Sequence, residues 1–225
     1  GNSVEFLFHF TDGSEFSSKG LNVIDSNQEN GKLSFKFEET QGIAVTMTFW
    51  VGDDGNTLRK QISFVQSSDK TIDYILLEHI GITNSKTHFT VPTDIKGTEL
   101  DGFQSSLGQP FYIDTLFFGC EFPATQNIIL YGIGQVKYFL GKKINGEFKC
   151  PVTVIGGAES DLMVDVQKSF YEYIEDISTK TDLRLQYNSW YDYMKDITAD
   201  NIEKSFYEIE KGLTSNGVPP LDAYV

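Results

Sequence analysis

Cysteine is scarce: Cys120 and Cys150 are the two in 225 residues. Two thiols cannot make a disulfide scaffold, which leaves a pair of small buried side chains or one bridge in an oxidising compartment. Histidine is nearly as scarce. His9, His79 and His88 have no second His, Cys or carboxylate at ligand spacing on a shared element, so no metal site and no cofactor is expected. No apolar run approaches the ~20 residues a helix needs to cross a bilayer. Basic residues are outnumbered, 18 Lys+Arg against 32 Asp+Glu, giving a formal net charge of -14. Such a surface repels phosphate backbones and anionic lipid, so nucleic acid and membrane surfaces are not expected as partners, whereas a neutral sugar is not penalised. The opening Gly1-Asn2-Ser3-Val4-Glu5 has neither a basic nor a long apolar segment. It fits equally a chain trimmed of a leader and a native Gly left by Met removal, so cytoplasmic and extracytoplasmic locations both stay open.

What the chain does have is 40% hydrophobic and 14% aromatic residues, enough for a sizeable core in one or two domains. From Gly1 to about Gly157 the pattern is all-β. Leu33, Phe35 and Phe37 alternate with polar neighbours, as do Val45, Met47, Phe49 and Val51, and then Ile72, Tyr74 and Leu76. Asp12-Gly13, Asn30-Gly31, Asp54-Gly55 and Asn145-Gly146 are hairpin dipeptides that tolerate positive φ. Short strands with such turns predict an antiparallel sandwich or barrel.

Near Gly156-Gly157 the period changes. Leu162, Val166, Phe170, Tyr173 and Ile177 share one helical face. A polar stretch, Ser178-Thr179-Lys180-Thr181, marks a boundary. Beyond it Leu183, Leu185 and Tyr187 read as a strand that stops at Asn188-Ser189. Ile202, Phe206, Ile209 and Leu213 then read as a helix capped by Thr198 and stopped by Asn216-Gly217. Leu221 to Val225 starts a second strand, which makes a βαβ unit with a parallel pair. The expected organisation is a β-domain over 1–158, a linker helix over 159–180 and the βαβ unit over 181–225.

Asn188-Ser189-Trp190-Tyr191, Asp196-Ile197-Thr198 and Leu221-to-Val225 resemble the opening of the catalytic (β/α)₈ barrel in the α-galactosidase group of glycoside hydrolases. Upstream, Gly108-Gln109-Pro110-Phe111, the run Phe117 to Ala124 and Lys168-Ser169-Phe170-Tyr171-Glu172-Tyr173-Ile174 are similar to that group's N-terminal β-supersandwich and connecting helix. The resemblance implies a mainly β fold, an antiparallel supersandwich followed by a linker helix and the first part of a (β/α)₈ barrel. It also implies that 225 residues end before the family's sugar-gripping turn and its aspartate nucleophile and acid/base. On that basis the chain is a non-catalytic N-terminal part of a retaining exo-α-glycosidase, with a carbohydrate partner and a homo-oligomeric state. The other reading is a stand-alone carbohydrate-binding or interaction module of sandwich type.

Trp190 is the first candidate for substrate contact, because a barrel strand end faces the active-site mouth and an indole face suits the apolar patch of a pyranose. Packing under its own loop is equally open to it. Asn188 could bond a sugar hydroxyl or hold the turn, and Tyr193 lies at the same rim. Trp50, Asp53 and Arg59 are secondary candidates on a hairpin that could close over that rim in an oligomer. Other motifs reduce to structure. Gly132-Ile133-Gly134 lacks the third Gly of a dinucleotide fingerprint, Asp53-Asp54-Gly55-Asn56 lacks the bidentate Glu of a calcium loop, and Cys120 has no positive neighbour to activate it.

Overall fold

The structure, a computed structural model, describes residues 3–82, 88–90, 108–182 and 184–224. The chain divides into two units, Gly1–Ile177 and Ser178–Val225. Of the sequence-predicted positions, Leu183 and Val225 lie outside the described residues.

The first unit contains β1 (Leu7–Phe10), β2 (Glu15–Ser17), β3 (Val23–Glu29), β4 (Lys32–Phe37), β5 (Ile43–Val51), β6 (Thr57–Gln66) and β7 (Ile72–Gly81). They are followed by β8 (His88–Thr90), β9 (Phe111–Ile113), β10 (Leu116–Cys120), β11 (Thr125–Leu130), β12 (Ile133–Lys142), β13 (Gly146–Lys149), β14 (Thr153–Gly157) and helix α1 (Met163–Ile177). Among the described residues these strands form two antiparallel sheets. A five-stranded sheet has the order β11-β12-β7-β1-β2, and a nine-stranded sheet the order β3-β4-β5-β6-β14-β10-β9-β8 with β13 also on β6.

Hairpin chemistry accounts for much of this path. At Asn30-Gly31 the φ angles are 50° and 75°, the double left-handed turn that matches strand twist, and β3 and β4 leave it in register from Glu29↔Lys32. Gly132-Ile133-Gly134 belongs to the β11–β12 hairpin, with Gly134 against the Phe111 ring. Between the sheets lies an aromatic core. Phe6, Phe8 and Phe10 from the small sheet meet Phe37, Ile43, Val45, Ile62 and Phe64 from the large one. Phe8 packs edge-on to Phe64 with centroids 5.1 Å apart. Each buried ring contributes about 1.5–3 kcal/mol relative to exposure.

Strand β7 departs from simple alternation. Its inward residues are Ile72, Ile75 and Leu77, while Tyr74 faces out and stacks on His9 with ring centroids 4.6 Å apart. Leu76 is buried outside this core cluster. Two register shifts explain the change. Phe10 and His9 pair with Ile72 and Tyr74, skipping Asp73, and Val136 and Lys137 pair with Glu78 and Leu76, skipping Leu77. The second bulge gives Leu77 and Glu78 successive interior positions, 1% and 5% exposed. A carboxylate is thereby delivered between the sheets, where Lys60 Nζ of β6 donates to Glu78 Oε2 at 2.8 Å and to the Glu5 carbonyl at 3.0 Å. Thr153 Oγ1 of β14 donates to Glu78 Oε1 at 2.5 Å.

Helix α1 covers the large sheet through a second cluster. Val166, Phe170 and Tyr173 pack with Tyr112, Phe117 and Val154. Phe117 fits because its partner Gly156 has no side chain: a Cβ there would stand 2.1 Å from Phe117 Cζ. Leu162 and Ile177, predicted on the same face, are 61% and 39% exposed and lie outside the buried stripe.

In the second unit a short β15 (Gln186–Tyr187) pairs in parallel with β16 (Ala223–Tyr224). Between them come α2 (Trp190–Tyr193), a 3-10 turn (Met194–Asp196) and α3 (Ala199–Ser215). Thr198 caps α3 by accepting from the Asn201 backbone N–H at 3.2 Å, while Asn201 Oδ1 accepts from the Thr198 N–H at 3.1 Å. At the other end Val218 N–H donates to Leu213 O and Gly217 N–H to Thr214 O, the paired bonds of a Schellman stop.

Two stability outcomes follow. Lys60→Met alone is expected to cost about 3–5 kcal/mol because Glu78 stays buried without its counter-ion, and Lys60→Met with Glu78→Leu to cost less than the sum of the singles; urea denaturation reads both. Gly156→Ala is expected to cost about 1–3 kcal/mol by overpacking on Phe117, visible as a lower denaturation midpoint.

Candidate functional site

Asn188, Trp190 and Tyr193 sit together on the strand-to-helix turn of the second unit, after β15. Asn188 Oδ1 accepts from the Trp190 backbone N–H at 2.9 Å, the short-range bond by which an Asn side chain closes a turn. Tyr193 is half-buried, and its hydroxyl shares a hydrogen bond with Ser205 Oγ of α3 at 2.8 Å. Tyr187 donates to the Asp192 carboxylate, and this bond raises the phenol's pKa. Asp222 completes the frame by accepting from the Leu185 N–H at 2.9 Å and donating its own N–H to the Leu185 carbonyl at 2.9 Å. The Trp190 ring is different: the residue is 54% exposed. The turn therefore presents an aromatic surface on a hydrogen-bonded frame, with the Asn188 amide and the Tyr193 hydroxyl serving that frame.

The secondary candidates stay together on the β5–β6 hairpin, Trp50 pairing with Arg59 across the strands and Asp53 lining a pocket with Arg59, but Arg59 and Trp50 serve different contacts. Arg59 Nε lies 3.0 Å from Glu121 Oε1, which also accepts from the Tyr173 hydroxyl at 2.8 Å, and the guanidinium stands over the Tyr173 ring at 5.7 Å. Burial, then the bond to Glu121, raises the Tyr173 phenol's pKa and keeps it protonated. Arg59 is thus part of the α1 docking contact. Asp54 Oδ1 accepts from the Asn56 and Thr57 backbone N–H groups at 3.0 and 3.1 Å, closing the β5–β6 hairpin without a cation. Trp50 carries Lys32 Nζ 4.5 Å above its ring and lines a groove on the outer face of the large sheet. That groove has no short sequence signature, because its lining is spread over four consecutive strands, β3 to β6, and the distant β13.

The thiols offer no nucleophile. Cys120 and Cys150 are both free, and burial pushes the Cys120 thiol up to about 12. His79 Nδ1 is buried without a hydrogen-bond partner among the described residues. No group of three or more His, Cys, Asp or Glu among the described residues could hold a metal ion, and none of their helices is long and apolar enough to cross a membrane.

No protein-family model matches the sequence, and no curated protein is similar enough in sequence to count as a relative. Solved structures do match. The GH36 α-galactosidase AgaB from Geobacillus stearothermophilus superposes with a TM-score of 0.50 at 11% identity, over 95% of this chain and 38% of that one. The chain has the fold of the N-terminal part of an α-galactosidase. AgaA from the same organism gives a TM-score of 0.49 at 10% identity, and the α-galactosidase from Lactobacillus brevis 0.43 at 9%. They are covered over 38% and 37% of their length, so the chain spans well under half of the enzymes it resembles. The mainly β, antiparallel fold expected from the sequence is the fold observed.

Because the Trp190 ring is exposed, Trp190→Ala is expected to change unfolding free energy by no more than about 0.5 kcal/mol. Tyr193→Phe, which loses the Ser205 bond, should cost about 0.5–1.5 kcal/mol. Thermal denaturation followed by circular dichroism checks both, and a large loss from Trp190→Ala would mean that the indole is a packing residue.

Proposed function

We propose that this chain is the non-catalytic N-terminal part of a retaining exo-α-glycosidase of α-galactosidase type, acting on terminal α-galactosyl or related residues. The observation that supports the reading is the superposition on AgaB over 95% of the chain. In this reading residues 1–158 are the supersandwich, 159–180 the linker helix and 181–225 the start of a (β/α)₈ barrel. Later strands would supply two carboxylates about 5–5.5 Å apart, one the nucleophile and the other the acid/base.

The turn after β15 would then stand at the C-terminal end of the first barrel strand, the end where such barrels keep their active sites. Trp190 would stack on the sugar's apolar face, with Asn188 and Tyr193 holding the loop and contributing polar contacts at its rim. The sandwich would scaffold the barrel and form the surface through which copies assemble into a homo-oligomer.

The test is release of aryl alcohol from aryl α-galactosides and α-N-acetylgalactosaminides, assayed with this chain and with the complete product of its gene. Turnover by the complete product and none by these 225 residues is expected. Enzyme-like turnover by these residues alone, or none by either, contradicts the proposal.

A further inference from the structure

The outer face of the large sheet carries a second arrangement suited to saccharide. Strand register places Asn27 opposite Ser34, Ser34 opposite Thr48, and Thr48 opposite Gln61, one row of amides and hydroxyls across β3, β4, β5 and β6. These side chains line a groove of about 480 Å³ that continues onto β13 at Lys149. Neighbouring strands lie about 4.8 Å apart, so five strands span about 19 Å, room for a short chain of pyranose rings rather than one.

The chemistry of the lining selects the ligand. Ser34 Oγ and Thr48 Oγ1 share a hydrogen bond of 2.9 Å and hold each other half-buried, with acceptor capacity remaining on both. Gln61 Nε2 donates to the Cys150 carbonyl at 3.0 Å, which fixes the amide and leaves Oε1 to accept. Charged side chains line the groove in equal number, Glu29 and Glu147 against Lys32 and Lys149. On a chain of net charge -14 this groove is a locally neutral strip. Neither a polyanion nor a polycation is favoured there, whereas sugar hydroxyls match a row that both donates and accepts.

At one end stands Trp50, half-buried, with the exposed Lys32 directly opposite it and its ammonium over the ring. A cation–π contact at an exposed site is weak, and the long lysine stem moves without the backbone. An indole face that Lys32 can vacate beside a row of hydroxyls and amides is the combination that grips a pyranose, by stacking on its apolar patch and bonding at its edge. The opposite face of the same strands carries Val45, Met47, Ile62 and Phe64 into the core, so the platform is rigid.

We infer that this face of the sandwich is a binding groove for a neutral oligosaccharide, with Trp50 as its stacking residue and the Asn27–Gln61 row as its hydrogen-bonding floor. The inference does not rest on the α-galactosidase reading: it would hold for a chain with no hydrolase attached. Isothermal titration of the 225-residue protein with maltopentaose, cellopentaose, mannopentaose and stachyose tests it, with a sulfated heparin oligosaccharide as the charged comparison. Saturable binding of at least one neutral sugar is expected, weakened roughly tenfold by Trp50→Ala. Asn27→Ala, an exposed change on the outermost strand, is expected to weaken it without touching the fold. No binding of any neutral sugar at millimolar concentration overturns the inference. So does binding that survives both Trp50→Ala and Asn27→Ala, or a preference for the sulfated probe.

Discussion

The two sheets of the first unit are registered on one another by a buried ion pair. Lys60 and Glu78, with side chains 4% and 6% exposed, face each other from opposite sheets. Two charges removed from water are tolerated only when their remaining hydrogen-bonding capacity is met. Here Thr153 takes the second carboxylate oxygen and the Glu5 carbonyl takes another ammonium proton. The surrounding phenylalanines supply most of the burial energy but are indifferent to small slides of one sheet over the other. The ion pair is not, because a shift along either strand would strand a charge in the core. The β-bulge at Leu77 belongs to the same device, since without it Glu78 would face outward.

From that fixed sandwich the remaining features follow in order. The large sheet presents Phe117 and Tyr112 to α1, and the bare backbone of Gly156 lets the Phe117 ring sit close enough for Phe170 to meet it edge-on at 5.4 Å. Arg59, Glu121 and Tyr173 bind the helix's third buried residue to the sheet by polar contacts. On the same outer face that α1 covers in part, β4, β5 and β6 alternate outward into the neutral groove, while their other face carries Val45, Met47, Ile62 and Phe64 into the core. One set of strands thus builds the core and the saccharide-facing floor, and the two-residue period of the β-structure decides which side chain goes where.

Much of this was legible from residues alone. The hairpin dipeptides Asp12-Gly13, Asn30-Gly31 and Asp54-Gly55, the Thr198 cap, the Gly217 stop and the Val166-Phe170-Tyr173 stripe are local signals, and each lies where the sequence places it. Asn145-Gly146, read as a fourth hairpin, instead joins β12 of the small sheet to β13 of the large one. The bulges in β7 were not legible, because one extra residue on a strand leaves no mark in composition; alternation counted through Ile72, Tyr74 and Leu76 therefore lost phase at Asp73. The outer-face groove was invisible for another reason. It consists of short polar side chains from Asn27 to Lys149, each unremarkable on its own strand, and becomes a site only through register. At the turn after β15 the sequence located Asn188, Trp190 and Tyr193, but the bonds from Asn188 to its own loop and from Tyr193 to Ser205 needed the fold.

The account adds to the Trp190 turn of the second unit a separate oligosaccharide groove on the sandwich face, with Trp50 as its stacking residue. The chain has two tryptophans, Trp50 and Trp190, so two indole N–H signals report on the two places independently. The direct measurement is an ¹⁵N nuclear magnetic resonance titration of the chain with the tightest-binding neutral oligosaccharide. The account predicts a saturating shift of the Trp50 indole together with the side-chain amides of Asn27 and Gln61. A Trp50 indole that stays in place at saturating sugar, whatever the Trp190 signal does, would contradict it.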